Sequence, residues 1–188
     1  MFRAECKAGT ELGKMASAIM TAGGLIPDEI TNAIVAGRIS QPDCANGFLL
    51  DGYPRTVPQA QQFSGVLRDK GLPEPIVIHL DVAEETLVAR LTSRRQCPVC
   101  GTIYNLISKP PRVEGRCDAD GAALNTRADD QEATIRQRLR AYEESTGPIL
   151  GWYGEKAVRV IDGAMAPSVV RQAVERVVVE ALSSSVKV

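Results

Sequence analysis

The 188-residue chain is 44% apolar and 24% charged, with 22 basic against 23 acidic side chains and a net charge of -1, and it reads as one soluble domain, or one domain with small insertions. That balance excludes holding nucleic acid or an anionic membrane by bulk charge, so any anion site has to be local. The basic set holds 16 Arg and 6 Lys, and Arg is the side chain that forks bidentately onto phosphate oxygens.

No apolar run approaches the ~18 residues of a membrane span. The first 20 residues carry Arg3, Glu5, Lys7, Glu11 and Lys14, unlike a secretory leader, so a cytoplasmic chain is expected. In chain order, apolar residues recur at helical spacing over 10–22 and 27–40, with Gly23-Gly24 as a stop between them and Pro27-Asp28-Glu29 as a start. Residues 47–51 (GFLLD) form a short apolar burst that predicts a buried strand entering a loop, and 59–70 predicts a helix. Residues 76–81 (IVIHLD) read as a second, buried parallel strand. A helix over 84–95 follows, then an irregular stretch from 97 to 130 rich in Gly, Pro, Arg and Asp. A long helix is predicted over 131–151, a third strand over 157–162, and a closing amphipathic helix over 168–183 built on valines. Strands alternating with helices define an α/β class with a parallel sheet. The three predicted strands end in Asp51, Asp81 and Asp162, and ligands of open parallel sheets sit outside the carboxyl ends of the strands.

Two constellations carry chemistry. Cys97-x-x-Cys100 and Cys117-x-x-Asp120, separated by sixteen residues, supply two ligand pairs on tight knuckles and a four-coordinate shell of the type zinc prefers. A full shell leaves no open position, so the site is structural. Cys6 and Cys44 are expected to be inert. The second constellation is arginine: Arg90 and Arg94 lie four apart on the predicted helix, Arg127 precedes the long helix, Arg138 lies within it, and Arg55 follows Asp51. Beside strand-end acids, these suggest a site for a polyphosphate with Mg²⁺. His79, the only histidine, stands in an apolar strand and reads as packed rather than catalytic. Tyr104 and Trp152 either stack on a base or fill core.

The runs MFRA at 1–4, AGGLIPDE at 22–29, GFLLDGYPRT at 47–56 with Pro58-Gln59, and RADDQ at 127–131 through Arg138-Leu139 resemble adenylate kinase over essentially the whole chain. The Cys97, Cys100, Cys117, Asp120 set resembles the zinc-bearing lid of long bacterial forms. The resemblance implies a nucleoside monophosphate kinase-like parallel sheet flanked by helices, and reversible transfer between ATP and AMP to give two ADP, with Mg²⁺, by a monomer. It divides the chain into a partial AMP-binding arm (1–26), core (27–95), zinc-binding lid (96–130) and core (131–188). It assigns Arg3 and Arg55 to the AMP phosphate, and the backbone of Gly24, Leu25 and Ile26 with Gln59 to adenine. Gly52, Tyr53 and Pro54 join the AMP site, and Asp51 orients magnesium waters. Arg90, Arg94, Arg127 and Arg138 clamp the phosphates, with Arg127 and Arg138 also reaching AMP. Ile103, Tyr104 and the backbone from Gly163 to Ala166 lie against the ATP nucleoside.

The resemblance also implies an N-terminal strand, a glycine-rich phosphate loop ending in Lys, and a helix, which this sequence lacks. The nearest text, GTELGKM at 9–15, has glycines too close together and Met15 in place of Ser or Thr. Roughly thirty residues of the pattern are absent, so 188 is short for this domain. The absent strand is central in the family's sheet, and each buried backbone group left unpaired costs about 1–3 kcal/mol. The expectation is a shortened chain, inactive or nearly so. The competing readings are a non-catalytic nucleotide-binding remnant, a UMP or CMP kinase, and a zinc-ribbon interaction module resting on 97–120 alone.

Overall fold

Residues 2–21 and 26–185 are described by the computed structural model, and the chain divides into two units, Met1–Pro75 and Ile76–Val188. In the first unit, α1 (Phe2–Ala8) and α2 (Glu11–Thr21) form a tight corner. Gly9 turns it with φ +66°, a value glycine adopts without strain. Thr10 caps α2 by accepting from the Gly13 N–H at 3.0 Å, while its hydroxyl donates to Glu5 at 2.6 Å. Gly13 lies against the α1 backbone so closely that a Cβ there would sit 2.2 Å from the Glu5 carbonyl oxygen. The segment nearest in text to a phosphate loop is therefore a helix corner, and Lys14 pairs with Glu11 at 2.7 Å.

Helices α3 (Asp28–Ile39) and α4 (Val57–Asp69) complete this unit. Thr56 caps α4 by accepting from the Gln59 N–H, and Pro58 occupies its first turn. Val35, Ile39, Tyr53, Phe63 and Leu67 form one core cluster; Ala16, Ile30 and Ile34 form another. Residues 47–51 form no strand, which corrects the sequence expectation. The alternation that suggested one is present, since Phe48 and Leu50 pack on the first cluster while Leu49 is 75% exposed. A strand also requires a ladder partner, and these residues have none among those described.

In the second unit, β1 (Val77–Asp81) and β4 (Val158–Asp162) pair in parallel, with Asp81 opposite Asp162 at their carboxyl ends. These two strands are the whole parallel sheet among the described residues; Leu80 and Val160 stand exposed on it. Helices α5 (Glu84–Thr92), α6 (Glu132–Ser145), α7 (Pro148–Tyr153) and α8 (Pro167–Ser185) follow in order, and α8 packs on β4. Arg136 of α6 bonds Glu84 and Glu85 of α5 together with its own Glu132. The hairpin β2 (Arg94–Gln96) and β3 (Ile103–Asn105) is antiparallel.

Two boundaries depart from the periodicity. The helix predicted over 84–95 ends at Thr92, because Arg94 to Gln96 are drawn into pairing with β3. The helix predicted over 131–151 breaks between α6 and α7 at Pro148, which has no N–H to continue the ladder. Among the described residues no helix is long and apolar enough to cross a membrane.

Candidate functional site

The cysteine knuckles close on their own backbones. In the first, the Cys97 N–H donates to Thr102 O at 2.9 Å, and Gly101, at φ +75°, donates to Cys97 O. The N–H groups of Val99 and Cys100 point at the Cys97 sulfur, at 3.4 and 3.5 Å. The second repeats the plan: Cys117 N–H to Ala122 O at 2.9 Å, and Gly121, at φ +72°, back to Cys117 O. Pairing of Gln96 with Asn125 holds the two turns together.

The ligand atoms of Cys97, Cys100, Cys117 and Asp120 all lie within 4.8 Å of one another. A tetrahedral zinc with sulfur ligands at ~2.3 Å separates them by about 3.8 Å; the Cys100 and Cys117 sulfurs stand 3.5 Å apart, and the Cys97 thiol donates to Asp120 at 3.3 and 3.4 Å. The donor set and its spacing fit zinc. Burial pushes the Cys97 thiol up to about 11, the Tyr104 hydroxyl lowers Cys117, and the Ala122 N–H leads in holding Asp120 down at about 2. Zinc binds the thiolate, so the Cys97 proton has to leave when metal binds.

The arginines predicted for phosphate are brought together in part. Arg94 grips Asp130 through two N–H groups, its Nε at 2.9 Å from Oδ2, and Asp130 is buried. Arg138 reaches Asp129 at 3.2 Å, and Arg127 donates to Gln96 Oε1 at 2.7 Å. Arg94, whose guanidinium is its principal cause, holds the Asp130 carboxyl below the usual carboxylate range; Arg127 and Arg138 add to the effect. Three guanidiniums thus gather about the turn Ala128–Asp130. Arg94 does not share a helix with Arg90, so the expected like-charge pair on one helical face does not exist. Arg90 turns to the loop after β4, donating to the carbonyls of Gly163 at 2.6 Å and Ala164 at 2.7 Å. The predicted nucleoside loop and one predicted clamp residue therefore meet. That loop needs its glycine, since a Cβ on Gly163 would lie 2.6 Å from Val82.

Tyr104 is buried under the second knuckle, its hydroxyl 3.5 Å from the Cys117 sulfur and accepting from the Asp118 N–H at 2.7 Å. Ile103 beside it is 46% exposed, and a cleft of about 460 Å³ opens nearby, lined by Gln96, Val99, Thr126 and Arg127 among others. His79 lies 3.5 Å from the Tyr142 hydroxyl, and Trp152 packs edge-on against Tyr153. Cys6 donates to Gly13 O, and Cys44 is buried beside Arg38.

In the first unit, Asp51 is exposed at the mouth of a bend. Gly52, at φ +74°, accepts from Arg55 Nε at 2.7 Å, and the Tyr53-Pro54 peptide is cis. Gln59 is buried, its amide oxygen accepting from the Arg55 N–H at 2.7 Å and its nitrogen donating to Asp28 at 2.6 Å. Ile26 packs on the second core cluster; Gly24, Leu25 and the Arg3 side chain lie outside the described residues. Sequence reasoning passed over Asp28 and Asp130, the acids that hold two of its chosen residues. The signal for Asp130 was in plain view, a carboxylate within RADDQ among residues assigned to bind anions.

Comparison with known proteins gives the family. The family model for adenylate kinase matches residues 1–158. An adenylate kinase of Oceanobacillus iheyensis is 49% identical over 178 residues, 94% of this chain and 83% of that one. Those of Desulforudis audaxviator and Methanococcoides burtonii are 48% and 47% identical, over 84% and 88% of this chain and 74% and 77% of theirs. Fold and relatives together place the chain in a family of phosphotransferases of the α/β class, with a parallel sheet flanked by helices. The chain belongs to the adenylate kinase family. A match over residues 1–158 is far wider than the 97–120 segment on which a stand-alone zinc ribbon would rest.

Proposed function

We propose that this chain acts on ATP, AMP and ADP as an adenylate kinase, by reversible phosphoryl transfer. The observation that carries the reading is the gathering of Arg94, Arg127 and Arg138 about Ala128–Asp130, since charge neutralisation supplies most of the catalysis in phosphoryl transfer. Arg94 spends two of its five N–H donors on Asp130, which fixes the guanidinium plane and leaves the others for a phosphate. Arg90, tied to the Gly163 and Ala164 carbonyls, is read as a second clamp, and the backbone to Ala166 with Ile103 as the nucleoside wall. Tyr104 serves that wall indirectly, as a support for the knuckle. Arg3 and Arg55 are assigned to the AMP phosphate, Gln59 to adenine, and Ile26, Gly52, Tyr53 and Pro54 to the same site. Magnesium enters with ATP and neutralises phosphate charge; Asp51 is the acid assigned to its waters. Cys97, Cys100, Cys117 and Asp120 are the residues that would hold zinc, which stiffens a lid over 96–130. We read the chain as a cytoplasmic monomer.

One observation favours a second reading, a nucleotide-binding chain that does not transfer phosphate. Gly9 to Lys14 form a helix corner, and no other glycine-rich run ending in Lys exists in the sequence. For a polypeptide of these 188 residues, supplied with ATP, AMP and Mg²⁺, the second reading predicts turnover below about 1 s⁻¹, the lower end for kinases, and the adenylate kinase reading predicts turnover above it. A coupled assay for ADP measures this. Turnover well above that value removes the second reading, and a failure to bind AMP in calorimetry overturns both.

A further inference from the structure

Gln59 is assigned to adenine because an amide offers both a donor and an acceptor. A primary amide, however, is nearly symmetric in shape, and turned over it offers the same two groups in the opposite order. One order matches adenine, whose edge pairs an accepting ring nitrogen with a donating exocyclic amine. The other matches hypoxanthine, whose edge pairs a donating ring N–H with an accepting oxygen. Base selection therefore depends on what decides the sense of the amide.

In this chain two contacts decide it. The oxygen end accepts from the Arg55 N–H at 2.7 Å, a variant of the capping box in which a Gln in the first turn reaches back past the cap. The nitrogen end donates to Asp28 Oδ1 at 2.6 Å, and Asp28 is itself held through Oδ2 by the Thr56 hydroxyl at 3.2 Å. A carboxylate has no hydrogen to give, so it tolerates only the nitrogen end. With those two contacts made, the amide keeps one N–H and one oxygen lone pair for a base.

We propose that Asp28 is a positioning residue for nucleobase selection: by accepting only from Gln59 Nε2 it fixes the amide in the order that pairs with adenine and rejects hypoxanthine. This rests on the AMP reading above. It differs from a purely structural role, in which Asp28 supports the start of α3 and its loss weakens all nucleotides alike.

The test is calorimetric titration of the full 188-residue chain with AMP and with inosine monophosphate, for the wild type and for Asp28→Asn, Asp28→Ala and Asp28→Glu. The wild type should hold AMP about tenfold or more tightly than inosine monophosphate, because a site with a fixed donor and acceptor leaves both mispaired on the wrong base. In Asp28→Asn and Asp28→Ala only the Arg55 N–H still favours the original order, so in both variants the ratio should fall by about threefold or more without reversing. Asp28→Glu keeps a carboxylate and should keep most of the ratio. Equal losses for both nucleotides in Asp28→Asn and Asp28→Ala, or an unchanged ratio, overturn the inference and leave the AMP reading standing. Absence of AMP binding by the wild type overturns the AMP reading itself and this inference with it.

Discussion

Removing the Asp130 carboxylate should weaken the second unit by a specific amount and with a specific pH dependence. The Asp130 side chain is fully buried and that of Arg94 is 20% exposed. Breaking a buried ion pair by deleting one partner costs about 3–5 kcal/mol because a charge is stranded. Arg94 can recover some hydration through its exposed part, so Asp130→Asn should cost the lower amount of about 2–3 kcal/mol, or about 4–12 °C in Tm for a chain of this size. The Arg94 guanidinium lowers the Asp130 pKa in the folded state, so the unfolded chain binds the proton more readily. The stabilisation is therefore present in full above the unfolded Asp value of ~3.9 and is lost as pH falls below it toward the lowered value. Thermal melts of wild type and Asp130→Asn followed by circular dichroism should differ most at pH 7. At pH 3 the gap should have narrowed by up to about 1 kcal/mol. A gap that stays constant from pH 7 to pH 3 would mean that Asp130 acts through shape or hydrogen bonding alone, and the ion-pair argument would fail.

The metal reading predicts that Cys100→Ser lowers zinc content below one equivalent and lowers Tm, and that a chelator does the same to the wild type; stoichiometric metal with an unchanged melt in the variant would contradict the four-ligand set. Zinc should also be shed on acidification, because protons compete for the thiolates. Two glycines in helices give a paired test of the corner between α1 and α2. Gly13→Ala drives a Cβ into the Glu5 carbonyl at 2.2 Å and should cost about 2–3 kcal/mol by overpacking. Gly37→Ala, with nothing within 4 Å of the added carbon, should stabilise α3 by about 0.5–1 kcal/mol. Opposite shifts in Tm are the expected result, and a harmless Gly13→Ala would refute the close approach of the two helices.

What the sequence made legible is what its local chemistry closes on itself. Each knuckle is a turn of six residues with its own glycine and its own hydrogen bonds, so the spacing of Cys97, Cys100, Cys117 and Asp120 was enough to assemble the cluster. Helices α2, α3, α4 and α8 follow their apolar periodicity for the same reason. Residues 47–51 failed because alternation reports which side chains face the core and says nothing about whether a neighbouring backbone is there to pair with. The end of α5 was missed because Arg94 to Gln96 answer to β3, a partner seven or more residues away. The acids behind the functional side chains were missed because Asp28 lies 31 positions from Gln59 and Asp130 lies 36 from Arg94, and no periodicity carries such a relation.

The zinc knuckles and the arginines were read from the sequence as separate constellations, and the fold makes them parts of one object. Strand β2 runs Arg94-Arg95-Gln96 and is followed at once by Cys97, so the residue gripping Asp130 and the first residue of the candidate metal cluster sit three positions apart on one extended segment. Gln96 between them pairs with Asn125 through the backbone in both directions. Its side chain accepts from Arg127 at 2.7 Å and donates to Gly101 O of the first knuckle at 3.4 Å. A shift of the first knuckle is thereby carried to Arg94 along the strand and to Arg127 through one amide. A metal with a full ligand shell has no chemistry of its own to offer a phosphate, yet it can fix where two guanidiniums stand. That is the physical sense in which the proposed zinc site and the proposed anion site can share the segment 94–127 without sharing a ligand.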